Sequence, residues 1–275
     1  MAIFCEILDS LGIKLASLLF VHASTDWLTK TGIAVWNVLP ELKSRLASDG
    51  VLVMPAFPFV GHHEDFLRTS PTIDLKNTPA RTGLLPEMLR REPEAARTYE
   101  PDLPCVVWGA ESVKNRIIGI GPADEDGTGA DSAFARIVEH GGLMLGLGVS
   151  HNYLALIHVF DSRFATQYTF PILSDETYIA HYKDGNANIV SVKRRAVPAL
   201  LQQHIKPETI IAHLPKRQKI FKTLTKNGVY FFSWDIKRLE DWACEHIEKR
   251  LRMGKVPCWH EEYVAALEAC NGNLN

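Results

Sequence analysis

The stretch "SLLFVHAS" (17–24) is the first of three segments that decide the fold, because it is an apolar strand pattern that runs into a loop. "IAVWNVLPELKSRLASDG" (33–50) follows with a mostly helical pattern, which Gly50 is predicted to end and in which Pro40 predicts a kink or a later start. "VLVMPAF" (51–57) is a second, Val-rich strand. Strand, helix and strand within ~40 residues predict a βαβ unit and therefore a sheet with a parallel portion.

The remaining elements extend this sheet. The charge-free strand "LMLGLGV" (143–149) is expected near its centre, and "ETYIAHYKDGNANIVSVKRRAV" (176–197) predicts a hairpin around "DGN". A further strand is predicted at 105–109, with helices at 83–91, 132–142 and 233–254, the last capped by Ser233. The sequence therefore predicts an α/β fold in which helices flank a central mixed β-sheet. We expect one domain over 1–275, with a core at about 1–170 and a β-rich and helical C-terminal subdomain at about 171–275.

Composition excludes several classes of partner. A net charge of -2 with 46% hydrophobic residues gives no electrostatic case for a nucleic acid polymer or an anionic membrane. The five cysteines have no CxxC spacing and no HExxH is present, so neither a disulfide framework nor a metal site is expected. The N-terminus lacks the basic segment of a signal peptide, and no run reaches the ~18 residues of a transmembrane helix. We expect a cytoplasmic protein.

Two histidines and a carboxylate stand out in "GLGVSHNYLALIHVFD" (146–161). If one helix begins near Ser150, then His151, His158 and Asp161 line one face of it. A histidine with a carboxylate one turn away is the arrangement that orients a general base and stabilises its imidazolium form. The alternative is a core histidine next to a charge at a helix end.

This segment and five others resemble the aminoglycoside 3-N-acetyltransferases, also called the antibiotic N-acetyltransferase family. In chain order the others are "VHAST" (21–25), "GVLVMPAF" (50–57), "TGLLPEMLRR" (82–91), "YEPDLPCVVWG" (99–109) and "SAFARI" (132–137). The resemblance implies the family's own α/β fold and acetyl-CoA, or a longer acyl-CoA, as co-substrate with no permanently bound cofactor. It also implies the roles of several residues: His158 as catalytic base, Asp161 as its carboxylate, and His22, Ser24, Thr82, Gly83, Ser132 and Arg136 along the cofactor.

The sequence departs from the family pattern near the acceptor. Ala155 replaces a threonine, Asp161 replaces a glutamate, and "EPDLP" (100–104) replaces a segment that carries two histidines and a serine. These changes favour the family's chemistry on a different acceptor or with a different acyl group. They are also compatible with a relative that binds CoA or a sugar without catalysis.

The acceptor is expected to be an amino sugar. Glu100, Asp102 and His151 are the predicted substrate-binding residues, since acidic side chains suit a cationic acceptor such as an aminoglycoside. A nucleotide-linked amino sugar is the reading that we favour slightly, because basic and aromatic residues suited to it are available: Arg163, Phe164, Tyr168, Lys193, Arg194, Arg195 and Trp234.

The predicted reaction is direct attack of the sugar amine on the thioester, with His158 as general base and backbone N–H groups at a turn as oxyanion donors. A ping-pong route through Cys105 is the mechanistic alternative. The amino-sugar acceptor and the acyl-CoA are the expected partners, together with a possible second copy of the chain in a homodimer.

Overall fold

The computed structural model describes residues 2–122, 125–214 and 220–272. Its strands are β1 Ala16–Ala23, β2 Leu46–Pro55, β3 Thr72–Asp74, β4 Ala96–Arg97, β5 Cys105–Gly109, β6 Leu143–Leu147, β7 Thr177–Lys183, β8 Ile189–Arg195, β9 Phe221–Lys226 and β10 Val229–Asp235. Its α-helices are α1 Ala2–Ser10, α2 Asp26–Thr31, α3 Val38–Ser44, α4 His63–Arg68, α5 Leu84–Arg90, α6 Glu111–Ile118, α7 Ala133–His140, α8 Ile157–Phe164, α9 Ala199–His204, α10 Ile210–His213, α11 Ile236–Arg252 and α12 Glu261–Gly272. Short 3-10 turns lie at Val35–Asn37, His151–Tyr153, Ala165–Gln167, Pro207–Thr209 and Cys258–His260.

Within this described part, one mixed sheet has the order β4-β5-β2-β1-β6-β10-β9. The strand β1 is parallel to both of its neighbours, β2 and β6, whereas the outer pairings are antiparallel. A second sheet, β3-β7-β8, contains the predicted hairpin. The predicted α/β fold with a central mixed sheet is confirmed, and the C-terminal strands β9 and β10 belong to the main sheet.

Helices cover both faces of the main sheet because alternate strand residues point to opposite sides. On β1, Leu18 and Phe20 pack with α6, α7, α8 and α11, while Leu19 and Val21 pack with α1, α2, α3 and α5. The predicted apolar stripe of α11 is buried on the first of these faces. No helix in the described residues is both long and apolar enough to cross a membrane.

Two predicted boundaries are wrong. Helix α3 ends at Ser44, and Gly50 lies inside β2, where a Cβ atom would meet the Ala16 carbonyl oxygen at 2.6 Å. The glycine thus permits close approach to β1 rather than ending a helix. Ser233 is a buried residue of β10 whose hydroxyl donates to the Leu11 carbonyl at 2.8 Å, and the cap of α11 is Asp235.

Candidate active site

A cleft of about 730 Å³ opens where β1, β2 and β6 end. The segments that follow these three strands line it, together with residues 81–83 and parts of the 197–207 region. Because β1 connects to a parallel neighbour on each side, this edge is the switch point at which open α/β sheets bind ligands. The fold therefore places a ligand site at the end of "SLLFVHAS".

His158 lines this cleft from the first turn of α8. Its side chain is 27% exposed, and its Nδ1 lies 3.9 Å from Oδ2 of the buried Asp161. Burial lowers the pKa of His158, while the charge of Asp161 opposes that shift. The imidazole is therefore neutral near pH 7 and is able to accept a proton, with a carboxylate beside it to stabilise the imidazolium.

The other oxygen of Asp161 is held by three donors. Its Oδ1 accepts hydrogen bonds from Trp259 Nε1 at 3.0 Å, His260 Nε2 at 2.8 Å and the Tyr168 hydroxyl at 3.1 Å. Burial alone would raise the pKa of Asp161, but the charge and hydrogen bond of His260 outweigh it, so this pKa lies below its ordinary value. Sequence reasoning missed Trp259 and His260, since nothing in the spacing of "PCWH" (257–260) links it to Asp161.

The prediction that His151 and His158 share one helix face is wrong. A 3-10 turn contains His151, the backbone turns at Leu154 with ψ 66°, and α8 begins only at Ile157. The ring of His151 is buried, with its two nitrogens against the Tyr230 hydroxyl (2.6 Å) and Trp234 Nε1 (3.1 Å). Both nitrogens are thus engaged inside the protein, and His151 lies outside the cleft lining, away from the predicted substrate contact.

Four of the predicted cofactor residues line the cleft: His22, Ser24, Thr82 and Gly83. The Thr82 hydroxyl donates to the Pro55 carbonyl at 2.6 Å, which fastens this loop to the end of β2. Gly83 has a φ of 139°, a value that favours glycine. The Ser24 hydroxyl accepts from the Asp26 N–H at 3.1 Å, so this serine also caps a turn.

His22 is the most unusual of the four. Burial lowers the pKa of His22 to about 3, so its ring is neutral. Its Nε2 is buried and has no hydrogen-bond partner among the described residues. A buried polar atom without a partner is costly, which suggests that a ligand group satisfies it.

The other two predicted cofactor residues lie elsewhere, which corrects that prediction. Ser132 is fully buried and caps α7, accepting from the Ala135 N–H at 3.0 Å. The Arg136 guanidinium donates to the carbonyl oxygens of Ile117 (2.8 Å) and Ile118 (2.9 Å). Its donors are used to hold the end of α6, so neither side chain faces the cleft.

Glu100 and Asp102 are also placed differently from the prediction, because both are fully buried behind the cleft wall. Asp102 accepts hydrogen bonds from His63 at 2.9 Å and from Arg194 at 2.9 Å. Burial would raise its pKa, but the charge of Arg194 and the contact with His63 bring it below the ordinary value. Glu100 accepts from the Ala133 N–H at 3.1 Å, and burial raises its pKa. Neither carboxylate is available to an acceptor.

The residues considered for a nucleotide-linked acceptor do not line the cleft. Arg194 is buried on Asp102, and Arg163 is bonded to Glu240 at 2.6 Å. The other members of that set also lie outside the cleft lining: Phe164, Tyr168, Lys193, Arg195 and Trp234.

Cys105 lies in β5, outside the lining, and burial raises the pKa of its thiol well above the ordinary value. A buried, protonated thiol is a poor nucleophile, so the ping-pong alternative has no geometric support. Within residues 2–122, 125–214 and 220–272, no three His, Cys, Asp or Glu side chains are grouped to hold a metal ion.

Comparison with known proteins identifies the family of this chain. The family model described as aminoglycoside 3-N-acetyltransferase matches residues 20–258. A curated relative, the SPbeta prophage-derived aminoglycoside N(3')-acetyltransferase-like protein YokD of Bacillus subtilis (strain 168), is 26% identical over 181 residues, which is 59% of this chain. The match spans 64% of that relative's length, which is less than two thirds.

Solved structures share the fold. That of the aminoglycoside acetyltransferase AAC(3)-IVa, an apoenzyme, matches with a TM-score of 0.68 at 17% identity, over 97% of this chain and 96% of the other. The AAC-IIIb binary complex with CoASH matches with a TM-score of 0.63 at 18% identity, over 89% of this chain and 94% of the other. At these identities the structural similarity shows the fold, and the family model shows the relationship. The chain belongs to the aminoglycoside 3-N-acetyltransferase family, as the six sequence segments predict.

Proposed function

We propose that this protein is a CoA-dependent N-acyltransferase that acts on the amino group of an amino sugar, with His158 as general base. The observation that carries the proposal is the pair formed by His158 and Asp161 at the switch point of the sheet. A partly exposed, neutral imidazole with a buried carboxylate at its Nδ1 leaves Nε2 to take a proton from a substrate. The family membership supplies the reaction class.

The proposed reaction is a direct transfer of the acyl group from the thioester to the amine. The lone pair of the acceptor nitrogen forms a bond to the thioester carbonyl carbon, and the C–S bond breaks. The proton lost by the amine passes to His158 and from there to the sulfur, so CoA leaves as a thiol. Backbone N–H groups at a turn are the proposed oxyanion donors. Asp161 stabilises the imidazolium while it exists, and general-base assistance of this kind supplies ~10²–10⁴-fold in rate.

The acyl-CoA is proposed to lie along the loop after β1. The ring of His22 lines the cleft here and is proposed to pack against the pantetheine arm. Ser24, Thr82 and Gly83 line the same part of the cleft. A protein of similar fold, AAC-IIIb, is known as a binary complex with CoASH, which supports an acyl-CoA as the co-substrate.

The acceptor has several candidates. Aminoglycosides are favoured by the names of the family and of the structural neighbours. A nucleotide-linked amino sugar remains in the proposal, although the basic and aromatic side chains expected to bind it lie outside the cleft lining. The non-catalytic alternative rests on Ala155, which lines the cleft at the position of the missing threonine.

Thiol release from acetyl-CoA and longer acyl-CoAs, with an aminoglycoside and a nucleotide-linked amino sugar as acceptors, tests the proposal. We expect His158→Ala to lower turnover about 10²-fold or more while CoA binding, followed by calorimetry, persists. His181→Ala is the matched control, because His181 lies on β7 against Ser191 and outside the cleft. CoA binding without turnover for any pair of substrates would instead favour the non-catalytic alternative.

A cytoplasmic location is part of the proposal, and the free state of the five cysteines supports it. The homodimer stays a prediction.

A further inference from the structure

The lining of the cleft has few groups suited to a polycation. Among the described residues that line it, none is aspartate or glutamate, and the basic side chains are Arg81 and three histidines, His22, His63 and His158. An ammonium group that leaves water needs a paired anion, because its desolvation is otherwise too costly. Aminoglycosides carry several such groups.

Four carboxylates of the described residues that lie next to the lining already have protein partners. Asp102 holds His63 and Arg194, and Asp126 accepts from the N–H and hydroxyl of Thr128 at 2.8 and 2.9 Å. Asp161 has its three donors, and the half-exposed Glu208 lies against the Asn152 amide. An ammonium group that approached Asp102, Asp126 or Asp161 would therefore compete with contacts inside the protein.

In contrast to acidic groups, aromatic rings are abundant at this cleft. Phe59 stacks on Phe57 with centroids 6.0 Å apart and planes 12° apart, and on His63 at 5.7 Å and 15°. Phe66 stacks on Phe59 at 4.7 Å, and Phe57 packs against Phe134 at 6.2 Å. Phe57 and Phe59 are only half-buried and line the cleft. We call this set of rings the aromatic wall.

Hydrogen bonds hold His63, the ring at one end of the aromatic wall, in a single orientation. The Nδ1 of His63 accepts from the Val197 N–H at 3.1 Å, so its Nε2 carries the proton that is donated to Asp102.

Two further apolar side chains of the lining are exposed: Val60 at 81% and Tyr153 at 57%. Exposed apolar side chains gathered at a cleft mark a binding surface rather than a defect.

From these observations we infer that the acceptor is an amine with an aromatic or other flat apolar substituent and little positive charge, bound against Phe57 and Phe59. The inference rests on the proposed acyltransferase function and names the substrate class of that same site. An amino sugar with an aryl aglycone is the simplest molecule with this chemistry. Its ring would pack against the exposed edges of Phe57 and Phe59, since edge-to-face contacts are favourable between aromatic rings.

A matched pair of acceptors tests the inference. The p-nitrophenyl and methyl glycosides of 2-amino-2-deoxyglucose carry the same single amine and differ in the aglycone. With saturating acetyl-CoA we expect kcat/KM, from thiol release, to be about tenfold higher for the aryl glycoside. Kanamycin, a polycation, is expected to react more slowly than either. Equal rates for the two glycosides, or a preference for kanamycin, overturn the inference.

A variant then connects the preference to the aromatic wall. Phe59→Leu keeps an apolar side chain but removes the ring, so the ratio of aryl to methyl kcat/KM should fall towards one. Trp36→Leu is the control, because Trp36 is 69% exposed and lies outside the cleft lining, and its ratio should match that of the unaltered protein. A ratio that Phe59→Leu leaves unchanged, in a variant with an unaltered melting temperature, contradicts the assignment to Phe59.

Two further arms separate this inference from the proposed function. If no acceptor leads to thiol release, the proposed function fails. The inference is then tested alone by calorimetric binding of the two glycosides. Tighter binding of the aryl glycoside supports it, and equal or absent binding overturns it. If octanoyl-CoA reacts faster than acetyl-CoA while the two glycosides react equally, the aromatic wall serves the acyl chain and the inference is wrong.

Discussion

Asp161 has different surroundings at its two oxygens, and this difference sets up the site at the scale of single residues. Oδ1 is fixed by Trp259, His260 and Tyr168, and Oδ2 faces His158. The three donors to Oδ1 hold the carboxylate in place. The negative charge at Oδ2 raises the pKa of the His158 imidazole. Removal of the charge should therefore change the titration of His158.

Asp161→Asn is expected to move the acidic limb of kcat/KM to lower pH. A protonated His158 is unable to accept a proton, so activity falls as pH decreases through its pKa, which already lies below 6.5. The Asp161 charge raises this pKa against burial, so its loss lowers the pKa further. Among the other groups that act on His158, Asp126 also raises the pKa, whereas His260 and His63 lower it.

The measurement is a pH–rate profile between pH 4.5 and 8, compared with that of the unaltered protein. Asp126→Asn should move the limb in the same direction by less. A limb that stays in place while the rate falls would indicate that Asp161 acts only as a structural residue.

Cys105→Ala is expected to keep its turnover. The thiol is fully buried in β5, and burial holds it in the protonated form. The expected cost is about 1 kcal/mol in the free energy of unfolding, measured with urea, because a small buried group is lost. A rate that falls as far as in His158→Ala would mean that the cysteine takes part in the chemistry.

At the scale of elements, the break between the turn that holds His151 and α8 separates the two histidines. Leu154 and Leu156 are buried between them in the same core cluster as Ile157. Their packing takes precedence over a continuous helical pattern. As a result His151 enters the aromatic interior next to Trp234, while His158 reaches the cleft.

The link between α4 and β8 depends on one buried carboxylate. Asp102 lies between His63 of α4 and Arg194 of β8. Asp102→Asn removes the negative charge that faces the Arg194 guanidinium, and breaking a buried ion pair of this kind costs about 3–5 kcal/mol. Urea unfolding should report a loss of that size, with His63 and the ring stacked on it less firmly held.

The matched control for this change is Asp175→Asn. Asp175 is fully exposed, and its carboxylate lies 3.8 Å from the guanidinium of Arg195, the neighbour of Arg194 in β8. Exposed ion pairs contribute little, so the free energy of unfolding should change by less than about 0.5 kcal/mol. Equal effects of the two variants would refute the importance of the buried network.

At the scale of the whole molecule, the C-terminal part completes both the sheet and the site. Strand β10 pairs with β6, and Trp259 and His260 reach Asp161 from 98 and 99 positions further along the chain. The cleft therefore exists in its final form only when the last elements have docked.

The fold should be sensitive to mild acid. Burial lowers the pKa of His22 to about 3 and that of His151 to about 4, so the unfolded chain binds more protons below pH 6.5. Stability is therefore full above pH 6.5 and is lost as pH falls, by about 2 kcal/mol for each ring at pH 5. Urea unfolding at pH 7 and pH 5 measures this loss.

His22→Gln removes the contribution of one imidazole to this loss of stability at low pH. The difference in stability between pH 7 and pH 5 should shrink by about 2 kcal/mol relative to the unaltered chain. An unchanged difference would show that His22 is already protonated or exposed in the folded protein.

The sequence by itself determined several main elements of the fold and their order. Apolar runs, helix stops and turn residues are local signals, so β1, β2, β5, β6, the β7–β8 hairpin and the face of α11 are predicted correctly. The six short segments also identify the family, and the resemblance leads to His158 and to the loop after β1, both of which line the cleft.

Only the tertiary structure decided which polar groups face the ligand. Glu100 and Asp102 look like acceptor ligands in the sequence, but both are buried: Asp102 is held by Arg194 and His63, and one oxygen of Glu100 accepts from the Ala133 N–H. Trp259 and His260 show no signal in the sequence, yet they hold Asp161. The physical reason is that burial and hydrogen-bond partners depend on contacts between distant segments, whereas helices and strands depend on the pattern of neighbouring residues.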